Sequence, residues 1–129
     1  MKVLNIEAET MLMMARRQIL PAIMKYSAEL AGEAAQIRAF STELTVAPQE
    51  RLLQKLTAGA KRLSDAIAAL EACMAGGGRG HDALEHARYQ HDIVIPAMNA
   101  VREAADSMEP LLDKEHQPFP TYADLLFYD

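Results

Sequence analysis

The chain has 129 residues, half of them apolar, which is the size and the material of one domain with one core. Its formal charge of −5, spread without blocks of like sign, excludes the basic face that a nucleic-acid binder presents to phosphates. No apolar run reaches the ~18–20 residues that span a bilayer, and Glu7 and Glu9 interrupt the N-terminus before a signal pattern can form.

Aromatic residues make up 5% of the chain and Trp is absent, so the core must be aliphatic, with Ala, Leu, Ile and eight Met residues filling it. Strong helix formers dominate and the β-branched residues favoured in strands are sparse, which predicts an all-α protein. The single Cys73 excludes an internal disulfide and fits a reducing compartment. The expectation is a soluble, cytoplasmic protein without nucleic-acid or membrane partners.

The first element is a long amphipathic helix over about 3–39. Leu4, Ala8, Met11, Ala15, Ile19, Ile23, Tyr26, Leu30, Ala34 and Ile37 recur every three or four residues and share one face. Arg16-Arg17 is an isolated basic pair, read as a solvated face. Ser41 to Pro48 reads as a loop, with Pro48 in the first turn of the next helix and Glu50 near its positive end.

The second helix, about 48–75, carries Leu53, Leu56, Ala60, Leu63, Ile67, Leu70 and Met74, alternating steps of three and four without a slip. That is a heptad seam, suited to packing knobs into holes. Lys61-Arg62 is again a solvated pair. Gly76 to Gly80 ends the helix, because four glycines in five residues cannot sustain one.

The third helix, about 82–115, starts at Asp82 with a capping-box partner in Glu85. Its seam reads Leu84, Ala87, His91, Val94, Met98, Val101, Ala105, Met108 and Leu112. Pro21 and Pro96 stand inside the first and third helices in matching Ile-Leu-Pro-Ala and Val-Ile-Pro-Ala surroundings, and each should disturb its helix and bend the rod. The tail 116–129 holds an extended Pro118-Phe119-Pro120, a short turn capped by Thr121 with Asp124, and four of the seven aromatics: Phe119, Tyr122, Phe127 and Tyr128. Together these features predict one domain over 1–129: an all-α, elongated up-down-up three-helix bundle with a short helical turn in the tail.

Nothing in the pattern carries chemistry. Bundle metal sites use Glu plus Glu-x-x-His pairs on facing helices, and no Glu here is followed three residues later by His. His81, Glu85 and His86 cluster at the start of the third helix but diverge. His91, alone among the histidines on the apolar seam, reads as a core residue. The Gly76–Gly80 stretch lacks the Lys-Ser/Thr of a P-loop and follows a helix. Cys73 has no basic neighbour to activate it. Met11, Met13 and Met14 read as core filler with one exposed side. No catalytic, cofactor-binding or metal-ligating residue is assigned.

Several segments nevertheless resemble a known family. Asn5 to Met11 and Met14 to Ala22 resemble the helix that follows the catalytic region in type III glutamine synthetases. Tyr89 to Met98 and Val101 to Asp106 resemble that family's last long helix, and Pro118 to Phe127 resembles its C-terminus, with Gln117 where the family tends to carry Trp. The resemblance implies a parent enzyme that joins ammonia to glutamate, using ATP and Mg or Mn, through a phosphorylated carboxylate. The β-grasp-like domain and catalytic barrel that it implies upstream are not in this sequence. It therefore implies a fragment with no cofactor of its own, whose partners are the rest of the parent chain and other subunits of a ring-forming homo-oligomer.

Three readings stand side by side. The first is a non-catalytic structural and oligomerisation domain at the C-terminus of a glutamine synthetase. The second is a free-standing helical protein–protein interaction module, its stripes serving a partner helix. The third, a small bundle enzyme or metal protein, is the weakest, because the seams carry one His and no inward carboxylate pair.

Overall fold

The computed structural model describes residues 2–76, 83–113 and 115–116, with side chains from Ile6 onward. Among the described residues every regular element is helical. The first rod consists of α1 (Lys2–Met14), a π-helical turn (Ala15–Ile19) and α2 (Leu20–Phe40). A connection through Ser41 leads to α3 (Ala47–Gly76). The third rod consists of α4 (Ala83–Tyr89), a second π-helical turn (Gln90–Val94), α5 (Ile95–Met108) and a closing 3-10 turn (Glu109–Leu111). Gly77 to Gly80, the Asp82 cap, His81 and the tail from Gln117 lie outside the described residues.

The two π turns are the local answer to the two prolines. In an uninterrupted α-helix the Pro21 ring would strike the Arg17 carbonyl, and that of Pro96 the Asp92 carbonyl, while neither proline could supply an N–H. A π turn closes bonds five residues back, and here the Leu20 N–H donates to the Ala15 carbonyl and the Ile95 N–H to the Gln90 carbonyl. Each proline then stands in the first turn of a fresh α-helix, where a missing N–H leaves no gap. The disturbance expected at each proline is thus a wider turn just ahead of it.

That extra residue per π turn corrects the seam of the third rod. Val94, Met98, Val101, Met108 and Leu112 are buried as expected, but His91 and Leu84 are exposed. Gln90 takes the buried place expected for His91, at 4% exposure. The reason is rotational: one additional residue turns everything before the π turn by roughly 100° relative to a regular helix. The first rod shows no such mismatch. Its steps from Met11 to Ala15, Ile19 and Ile23 are all fours, a spacing that already contains the wider turn, and these positions are buried or half-buried.

The third helix also ends earlier than the expected 115. Pro110 cannot donate to the Asp106 carbonyl, so α5 stops at Met108, tightens into the 3-10 turn and leaves it at Leu112 in extended geometry. The loop after α2 behaves as read: Ser41 is extended, and Pro48 and Glu50 fall in the first turn of α3.

One core joins the rods. Ile23, Leu56, Leu63, Leu70 and Val101 are its largest fully buried side chains, each worth roughly 1.5–3 kcal/mol relative to exposure. The heptad seam of α3 lies at its centre, with α2 and α5 both packed along α3 and α1 touching α3 and α5. Ala8, Ala15 and Ala104, all at 1% exposure or less, serve as small residues in that core. Ion pairs rim it. Arg16 meets Glu71 at 2.5 Å and Arg38 meets Glu50 at 3.5 Å, while Arg62 reaches Glu103 at 4.0 Å. Lys61 pairs one turn along its own helix with Asp65 at 2.8 Å. All are at least 47% exposed, so solvent screens them and each contributes little to stability.

Candidate functional site

Among the described residues, those singled out in the sequence do not converge. His91 is exposed and pairs with its neighbour Asp92, at 3.0 Å. His86 is half-buried on α4, Glu85 is exposed, and Cys73 is half-buried near the end of α3. Cys73 offers its backbone instead: its carbonyl accepts a 2.9 Å hydrogen bond from the Tyr89 hydroxyl. Met11 and Met14 are half-buried and Met13 is 54% exposed, which matches the reading of filler with one outward side. Among the described residues, no group of three or more His, Cys, Asp or Glu is placed to hold a metal ion.

Two features emerge that the sequence reading did not identify. The first is an apolar groove of about 440 Å³ between the first rod and α5. Ile6, Met11, Met14 and Ile19 form one wall, Met98 and Val101 the other, and Glu7, Arg102 and Asp106 supply its charged atoms. Its lining follows from the seam residues themselves, which here face a gap as well as the core.

The second is a polar cluster where the chain leaves the 3-10 turn. The His116 ring stacks on Tyr26 of α2, with centroids 4.6 Å apart and planes inclined by 28°. Its Nδ1 lies 2.5 Å from the Asp113 carboxylate and its Nε2 lies 2.6 Å from that of Glu29. The His116 side chain is 8% exposed, although both carboxylates are nearly half exposed. The hydrogen bond that the ring donates to Asp113 is the main force raising the His116 pKa above its ordinary value, opposed by burial and reinforced by the charges of Asp113 and Glu29. The same bond holds the Asp113 carboxyl below the usual carboxylate range. Burial first, then Asp113, Glu33 and Glu29, push the Tyr26 hydroxyl up. The Asp-x-x-His spacing of Asp113 and His116 was visible in the sequence, but Glu29 and Tyr26 reach it only through the fold.

A family model described as the glutamine synthetase C-terminal domain matches residues 1–38, which is nearly all of the first rod and includes Pro21, Tyr26 and Glu29. This rod resembles the end of a glutamine synthetase. A glutamine synthetase of Butyrivibrio fibrisolvens is 26% identical over 126 residues, covering 98% of this chain and 18% of the relative. The chain thus spans less than a fifth of the length of the curated relative it matches.

Among the described residues, no helix is long and apolar enough to cross a membrane.

Proposed function

We propose that this chain is the C-terminal helical part of a type III glutamine synthetase, acting as a non-catalytic structural and oligomerisation element. The observation that carries the reading is the reach of the similarity to the Butyrivibrio fibrisolvens enzyme: almost the whole of this chain aligns, yet it accounts for only 18% of the relative. The family-model match to the first rod supports the same reading from the N-terminal side. The parent enzyme, on this proposal, ligates ammonia to glutamate with ATP and Mg or Mn in the cytoplasm, in the service of nitrogen assimilation. Those cofactors belong to domains upstream of this sequence, and none is assigned to this fragment.

The up-down-up order of rods belongs to the same proposal. Arg16 pairs with Glu71 while Arg38 pairs with Glu50, so numbers rise along the first rod as they fall along α3. Cys73 meets Tyr89 while Arg62 meets Glu103, which favours the same alternation between α3 and the third rod. In such a bundle the apolar groove is the surface offered to the rest of the parent subunit or to a neighbouring one.

The test is direct. The purified chain, given glutamate, ammonia, ATP and Mg, is expected to form no glutamine. The coding sequence upstream is expected to encode a catalytic region in the same frame. Glutamine formation by the chain alone, or an in-frame stop codon just before Met1, would overturn the proposal. The groove is the observation that favours the second reading, a free-standing interaction module, and the stop codon is the result that would favour it.

A further inference from the structure

We propose that His116, clamped between Asp113 and Glu29 against the face of Tyr26, is a pH-sensitive latch that holds the end of the third rod on α2 and releases it as the imidazole loses its proton. A neutral imidazole has one N–H to donate and one lone pair. Here both ring nitrogens face carboxylates, at 2.5 and 2.6 Å, so both bonds require the doubly protonated ring. Once the proton leaves, a lone pair confronts one carboxylate, and the charge attraction to Asp113 and Glu29 is lost together. The stacking on Tyr26 then holds the ring by dispersion alone.

The latch bears on the segment that follows the core. Beyond Leu112, which is 7% exposed, the described chain touches α2 through His116 and is otherwise turned on itself, with the His116 N–H donating to the Asp113 carbonyl and carboxylate. Among the described residues, Tyr26 and Glu29 from α2 and Asp113 from its own segment meet the ring, and Glu33 of α2 acts on Tyr26; none of these is basic.

The direction of the dependence follows from the two shifts. His116 is raised above 6.5, so its contribution is fully present below that value and disappears as pH climbs through the raised one. Asp113 is lowered below 3.8, so its contribution is present above that value and disappears as pH falls through the lowered one. The latch is closed between these limits and opens on the alkaline side first.

The experiment follows the His116 ring by NMR through a pH titration of the full 129-residue chain, with the urea-unfolded chain as reference, and records amide exchange at Leu112 and His116 across the same range. The folded ring is expected to titrate at higher pH than the unfolded one. Exchange at His116, corrected for its intrinsic rate, should quicken about threefold or more as the ring deprotonates. Glu29→Gln is a surface change that should lower the midpoint and weaken the pH response, and His116→Gln should abolish the response while the core remains folded. A folded midpoint at or below the unfolded one, or exchange indifferent to ring protonation, would overturn the latch.

Discussion

Gly59 of α3 faces the thioether of Met108 of α5, and the Met108 side chain occupies the space that a Cβ on residue 59 would need. A Cβ built there overlaps the Met108 Sδ and comes within 2.5 Å of its Cε. Met108 is 2% exposed, so its flexible end has packed neighbours on every other side. A glycine in the middle of a long helix costs about 1 kcal/mol relative to alanine, and the close fit to Met108 is what that cost supports.

Gly59→Ala is therefore expected to destabilise the chain by about 1–2 kcal/mol, the overpacking strain exceeding the gain in helix propensity. Adding Met108→Val should recover much of the loss, because it removes the overlapping atoms. Urea denaturation of the four members of this double-mutant cycle measures the coupling. Additive effects would show that the two residues do not meet as described.

Leu63 is fully buried at the centre of the heptad seam. Leu63→Ala should cost ~2–5 kcal/mol, through lost transfer energy and the cavity left behind. The same substitution at Leu84, which is 61% exposed, should change stability by less than about 0.5 kcal/mol despite its place in the periodic pattern. Thermal unfolding of both variants compares the two positions directly.

The π turn over Gln90–Val94 holds one more residue than an α-helix would. Deleting exposed Asp92 together with Pro96→Ala should let the third rod run as a regular helix with Gln90 and Val94 still on the core face. Deleting Asn99, equally exposed but inside α5, should rotate all preceding positions of that rod off the core by roughly 100°. Circular dichroism melts are expected to show the first variant folded and the second severely destabilised.

Tyr89 bridges α4 to the end of α3. Cys73 is among the last four residues of α3, whose carbonyls lack helical partners, and the Tyr89 hydroxyl supplies one at 2.9 Å. Tyr89→Phe keeps the ring and removes the donor, so a loss of about 0.5–1.5 kcal/mol is expected by chemical denaturation. A stability equal to that of the parent chain would mean that water replaces the hydroxyl without cost.

What could be read from the one-dimensional pattern was whatever depends on neighbours within a turn or two. The three apolar stripes, the placement of Pro48 and Glu50, and the site of each proline disturbance are local properties, because helix period, capping and the missing proline N–H act over a few residues. The run of fours from Met11 to Ile23 even encoded the wider turn of the first rod, whereas in the third rod regular spacing placed His91 inside and the π turn put Gln90 there. Pro110 was equally local, and its shortening of α5 was legible in principle. Only the tertiary structure decided which faces meet: Gly59 with Met108, Arg16 with Glu71, and His116 with Tyr26 and Glu29. Those pairings depend on how each rod is rotated about its axis and offset along its neighbour, and a periodic stripe leaves both open until the side chains interlock.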